Sequence, residues 1–283
     1  MPNVVDTQIL IGLEYLKIKK MKHYLKIQQF TFIILTSCLS IVFAQNNKTT
    51  SVYLIGDSTV ADYTGDYEPG KDYMKSRYPV AGWGQEFQPF FSTDKTKNFV
   101  VKDKARGGRS TRTFFQEGRW REVYENLQPN DWVLIQFGHN DAAENKPERA
   151  VNIEGYKEFL RLYVAQTLQK KAFPIILSPV ARNYPWKDGQ LQNVHGEYPK
   201  AAAEIAKEMN IPFIDLNTIS MIFFSENGQK LVSEKYFMNL PANVYEAYPN
   251  GEKDNTHFQI EGAKVVAELV FNAFKDVINQ SKK

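Results

Sequence analysis

At 283 residues the chain is long enough for one large domain or two smaller ones. Hydrophobic residues make up 43% and charged residues 24%, which is ordinary for a globular fold and too apolar for a disordered chain. One cysteine excludes a disulfide scaffold, an iron–sulfur protein and a Cys-rich zinc site, and a formal charge of +3 is too small to imply nucleic acid.

That charge belongs to residues 1–44, where Lys17, Lys19, Lys20, Lys22 and Lys26 face only Asp6 and Glu14. The remainder is net neutral and leaves no broad basic surface for DNA or a membrane. Within the first segment, Met21 begins a short basic stretch, and residues 30–44 (FTFIILTSCLSIVFA) form an apolar run of signal-peptide length. The run is shorter than the roughly 20 residues a spanning helix needs, so no transmembrane segment is expected in the mature protein. Polar Gln45-Asn46-Asn47-Lys48 follows Ala44, so cleavage after Ala44 is expected, with a single domain over 45–283 and a secreted or periplasmic product. Two other readings stand: Leu35-Thr36-Ser37-Cys38 resembles a bacterial lipoprotein box, which would anchor the chain through Cys38, and the run also fits a buried strand. Residues 1–20 precede a second methionine, as a misplaced start codon would explain.

Beyond the leader, short β-rich apolar runs at 51–55, 99–101, 132–137, 174–178 and 211–215 read as strands. Between and after them come helical patterns. Tyr156, Phe159, Leu160, Tyr163, Val164 and Leu168 recur at spacings of mostly three and four, and 197–209 and 260–278 behave likewise. Strands alternating with helices predict a three-layer α/β/α sandwich around a central parallel sheet, of flavodoxin-like type. Ligands in such sheets bind beyond the carboxyl ends of the strands, so polar residues just after the apolar runs are the functional candidates.

Three segments meet that description, and a fourth stands before the last helical pattern. Gly56-Asp57-Ser58-Thr59 follows the first strand; Ser58 there either projects into the cleft or serves turn and cap chemistry. Arg106-Gly107-Gly108-Arg109-Ser110 follows the second, where glycine lets backbone approach a ligand and offer an N–H. Gly138-His139-Asn140-Asp141 follows the third and fits an amide donor to an oxyanion, an Asx turn, or a His/Asp metal pair. The metal reading is weak, because only His139, His195 and His257 remain after the leader and none has His-x-x-x-His spacing. Asp254-Asn255-Thr256-His257 precedes the last helix, and its acid and imidazole suit one loop facing a serine that needs a base.

In this order the blocks GDST, GGRS, GHND and DNTH resemble those of the SGNH (GDSL) hydrolases, most closely the rhamnogalacturonan acetylesterase branch. The resemblance implies a serine esterase without metal or organic cofactor. It makes Ser58 the nucleophile, His257 the base and Asp254 its orienting acid, with Asp57 structural. The Ser58 and Gly108 N–H groups and the Asn140 amide become the oxyanion donors. Gly107 competes with Gly108, which is preferred because Arg109-Ser110 follows it. The family often carries an asparagine shortly before these glycines, where this chain has Asp103-Lys104-Ala105-Arg106.

The expected substrate is an acetylated polysaccharide or oligosaccharide, with rhamnogalacturonan first. Arg106, Arg109, Arg112 and Arg119 cluster around the second block of an otherwise neutral chain, and arginine pairs bidentately with uronate carboxylates. Arg109 and Arg112 are therefore candidate substrate contacts, with solvated or structurally paired charge as the plainer role. His195 joins them from a loop that also holds Tyr184 and Trp186. Rival readings are acetylated xylan or another glycan, a general esterase or lipase, and a non-catalytic carbohydrate-binding protein.

Overall fold

The computed structural model describes Lys20, Met21, Tyr24 and residues 49–92 and 98–280. Contacts divide the chain into Met1–Thr49 and Thr50–Lys283. In the first unit Lys20, Met21 and Tyr24 are helical and exposed. The expected leader run, its cut after Ala44 and Cys38 lie outside the described residues.

In the second unit the strands are β1 (Thr50–Gly56), β2 (Val80–Ala81), β3 (Phe99–Asp103), β4 (Trp132–Gln136), β5 (Phe173–Leu177), β6 (Trp186–Lys187), β7 (Gln190–Leu191), β8 (Phe213–Ile214), β9 (Phe237–Leu240) and β10 (Glu252–Gln259). The principal helices are α1 (Thr111–Gln116), α2 (Arg119–Asn126), α3 (Ile153–Gln169), α4 (Tyr198–Glu208), α5 (Leu216–Asn227) and α6 (Ile260–Gln280). Five strands form one sheet in the order β3-β1-β4-β5-β8, every pair parallel. The direction of winding reverses between β1 and β4, which opens a crevice at their carboxyl ends.

The apolar runs are continuous because both faces of this sheet are covered. Successive side chains alternate between two cores. Val52 and Leu54 of β1, Trp132 and Leu134 of β4, and Ile175 and Leu177 of β5 join one core, with α6. Tyr53, Ile55, Val133, Ile135 and Ile176 join the other, under α3 and α4. The buried positions of α6, among them Ala263, Val266, Val270, Phe274 and Ile278, fall three or four apart and make the stripe that closes the first core.

Local signals set the helix ends. Asn152 caps α3 by accepting from the Gly155 N–H, Ser110 opens α1 in a reciprocal capping box with Thr113, and Asp215 caps α5. The Asp215 cap also explains why the strand expected over 211–215 shortens to Phe213–Ile214.

One part of the architecture departs from expectation. A second, antiparallel sheet runs β2-β10-β9. The DNTH segment lies inside β10 rather than in a loop before the last helix. Its register against β9 shifts between Asp254, opposite Met238, and Phe258, opposite Phe237. Residues 255–257 are therefore extra on one side of the ladder and bulge from it.

Candidate active site

The Ser58 turn is built by close packing and a hydrogen-bond chain. A Cβ on Gly56 would stand 2.6 Å from the Gln136 carbonyl oxygen and from Val60 Cγ2, so only glycine lets β1 end this close to β4. Asp57 Oδ1 accepts from the Thr59 N–H at 2.9 Å and hydroxyl at 2.8 Å. Thr59 Oγ1 accepts from Gln136 Nε2, and Gln136 Oε1 accepts from Trp83 Nε1, each at 2.8 Å. Burial raises the Asp57 carboxyl above its ordinary value, against the pull of the Thr59 bonds, and both of those bonds serve the turn, in keeping with a structural role.

Ser58 is left at the rim with 8% of its surface exposed and its Oγ 2.9 Å from His257 Nε2. His257 Nδ1 lies 2.5 Å from Asp254 Oδ2, so the ring donates to the carboxylate and presents Nε2 as acceptor to the hydroxyl. Asp254 Oδ1 accepts from the Thr256 N–H at 2.7 Å and the His257 N–H at 3.1 Å. Partial burial would push the Asp254 carboxyl up, but the imidazole bond, its charge and the two N–H donors outweigh it and hold the group below the usual carboxylate range. Asn255 ties the bulge down: its Oδ1 accepts from Asn183 Nδ2 at 2.8 Å and Asn239 Nδ2 at 2.9 Å.

The second and third blocks meet beside Ser58. Gly108 has φ +80°, the left-handed conformation glycine favours, while the Gly107 N–H donates to Tyr67 Oη at 3.1 Å. Tyr67 thus already occupies the Gly107 N–H. Asn140 Nδ2 donates one hydrogen to the Arg109 carbonyl at 3.0 Å and keeps a second for a ligand. Asp141 Oδ1 accepts from the Thr111 N–H at 3.0 Å and hydroxyl at 2.5 Å, pinning the start of α1 to the end of β4. Burial, opposed by those bonds, pushes this carboxyl up to about 7. The metal pair considered for His139 and Asp141 therefore has other partners: Asp141 holds Thr111, and His139 Nδ1 accepts from Arg182 Nε at 3.2 Å.

Ser58, Gly108, Asn140 and His257 line one cleft of about 440 Å³, with His139 and His195 in its wall. The two imidazoles meet edge to face, centroids 4.4 Å apart. Burial, aided by the Arg182 charge, lowers His195 to about 3, so it enters the wall as a neutral ring with Nε2 3.0 Å from the Val180 carbonyl.

The arginine expectation is corrected. Arg109 and Arg112 are not among the residues lining the cleft. Arg109 pairs with Glu117 at 3.0 Å and donates to the Gly107 carbonyl, and Arg112 donates to the carbonyls of Pro147 and Ala150. Arg119 shares Glu117, and Arg106 lies over the Tyr67 ring at 3.7 Å. Each has a nearer partner on its own side of the fold. The cations that do line the cleft are Lys146, Arg149 and Arg182. Arg182, five residues past β5, was within reach of the strand-end rule; Lys146 and Arg149, in the loop before α3, carry no such signal.

Residues 54–262 match the GDSL-like lipase/acylhydrolase family. The rhamnogalacturonan acetylesterase RhgT of Bacillus subtilis (strain 168) is 34% identical over 230 residues, 81% of this chain and 91% of that protein. The probable rhamnogalacturonan acetylesterase YesY of the same organism is 36% identical over 227 residues, 80% and 93% of the two chains. The solved structure of Bacillus subtilis YxiM superposes with a TM-score of 0.65 at 26% identity, covering 81% of this chain and 57% of that one.

Proposed function

The chain belongs to the GDSL-like lipase/acylhydrolase family and is a serine esterase, and from that premise we propose that it removes acetyl groups from acetylated pectic polysaccharide of the rhamnogalacturonan type through Ser58, His257 and Asp254. The observation that carries the mechanism is the unbroken Asp254–His257–Ser58 hydrogen-bond chain at the mouth of the cleft. Ser58 Oγ attacks the acetyl carbonyl while His257 Nε2 takes its proton, and the ionised Asp254 stabilises the imidazolium that forms. The tetrahedral oxyanion is received by the Ser58 and Gly108 N–H groups and the Asn140 amide, each worth about 10²–10³ in rate. His257 then protonates the departing sugar alkoxide. Water, deprotonated by the same imidazole, releases acetate and restores the serine.

The substrate class is supported by the names of the two relatives and by a cleft lined with basic and amide groups, which suits a hydrated polymer better than a lipid chain. A leader over residues 1–44 would deliver the enzyme to such a polymer outside the cytoplasm. Among the described residues no helix is long and apolar enough to cross a membrane.

The test is acetate release by the purified protein from acetylated rhamnogalacturonan and acetylated xylan, with 4-nitrophenyl acetate as a small neutral ester. Faster release from rhamnogalacturonan is expected. Release from acetylated xylan alone would leave the serine chemistry standing and overturn the pectic assignment.

A further inference from the structure

Among the described residues, the cleft beside Ser58 is lined by three cationic side chains and no acidic one. Several cations elsewhere are matched by carboxylates: Arg77 by Glu68, Lys104 by Glu122, Lys157 by Glu204 and Arg161 by Glu208. Arg182 donates only to neutral acceptors, the His139 ring and carbonyl and the Tyr184 hydroxyl. Among the described residues Lys146 and Arg149 form no ion pair, and Arg149 Nε is buried without a hydrogen-bond partner. A buried charged donor left unmatched is costly, and is retained most readily where a ligand completes it. Position narrows the ligand. Arg149 Nη1 stands 3.3 Å from where a Cβ on Gly108 would lie, so an anion bound there sits beside the scissile ester. Lys146 is one turn away, its carbonyl accepting from the Arg149 N–H at 3.0 Å.

We propose that Arg149, flanked by Lys146 and Arg182, recognises the carboxylate of a hexuronate unit that carries or adjoins the acetylated hydroxyl, and that this contact makes the enzyme select acidic over neutral glycan esters. The proposal rests on the acetylesterase reading and assigns its specificity to named residues. A planar guanidinium matches a carboxylate through two parallel hydrogen bonds, which fixes orientation as well as adding charge. An oriented uronate sets the neighbouring ester against Ser58, so recognition enters kcat/KM through positioning.

The experiment compares kcat/KM on an acetylated oligogalacturonate and an acetylated galacto-oligosaccharide of equal acetyl content, for the wild type, Arg149→Gln, Arg149→Lys and the remote Arg161→Gln. At low salt the wild type is expected to favour the acidic ester about tenfold or more, and the preference to shrink toward unity by about 0.5 M salt. Arg149→Gln should lower the acidic-to-neutral ratio about fivefold or more, mainly through KM, and Arg149→Lys, which keeps charge but loses the fork, should fall between. Arg161→Gln should keep the wild-type ratio. A wild-type ratio near one, a ratio unmoved by Arg149→Gln, or an equal loss on both substrates would overturn the proposal, the last by placing the guanidinium on the oxyanion. Acetate release from neither probe removes the esterase reading and this proposal with it.

Discussion

The two halves of the proposed catalytic pair are held by opposite means. Ser58 stands at the end of a parallel strand, on a turn whose Asp57 and Thr59 are fully buried and whose bonds run back to Gln136 and Trp83. His257 and Asp254 stand on a bulged antiparallel ribbon with 34% and 29% of their side-chain surface exposed. They are steadied by short polar contacts, chiefly those converging on Asn255. Burial fixes the side that must present one oxygen at one place. Hydrogen bonding fixes the side that must exchange protons with substrate and water.

The largest expected effects come from removing either half. Ser58→Ala and His257→Ala should each lower kcat on 4-nitrophenyl acetate by about 10⁴–10⁶, and the double variant by no more than the worse single one, because the two act as a unit. Additive losses would show two separate devices. Asp254→Asn should cost about 10⁴ by presenting the wrong imidazole tautomer; a loss below tenfold would leave the 2.5 Å contact without catalytic weight. Asn140→Ala should lower kcat by about 10²–10³ with KM little changed.

Asn255→Ala sharpens the contrast most directly, since it loosens only the base half. A displacement of about 1 Å costs up to 10²-fold, so kcat should fall by about 10–100 while the circular dichroism spectrum is unchanged. Unaltered turnover would mean that the ladder alone holds the bulge.

The smallest effect is in stability against pH. Between the ordinary carboxylate value near 3.8 and about 7, the folded protein keeps on Asp141 a proton the unfolded chain has released, so stability falls as pH rises through that window. Asp141→Asn should flatten this slope in denaturant titrations. Asp254 has the opposite sign: its lowered carboxyl lends stability above the ordinary value that is lost as pH falls through its folded value. A wild-type slope unchanged by Asp141→Asn would remove the buried acid as its source.

The same contrast governs what was legible in the sequence. The runs of β1, β4 and β5 are apolar throughout because both faces are covered, and a run ending in glycine points to a strand end. The ribbon has no such signature: in β10 only Phe258 is buried, so DNTH reads as loop although it lies in a strand. Its residue types were visible while its backbone was not. The arginines failed for a different reason. Nearness in sequence to Gly108 favoured Arg109 and Arg112, but the chain carries both to partners such as Glu117 and the Pro147 carbonyl, and Arg149 comes to Gly108 from 41 positions further on. Periodicity reports which face is buried. It does not report which charge is left unmatched.

Ser58 and His257 are separated by 199 positions along the chain. A ribosome working at about 5–20 residues per second therefore makes Ser58 roughly 10–40 s before His257. Through that interval Ser58 has no His257 beside it, and β10 is synthesised after every strand of the parallel sheet. Under the proposed mechanism, activity is tied to the end of synthesis, and a nascent or C-terminally clipped chain carries the hydroxyl without the imidazole that would activate it.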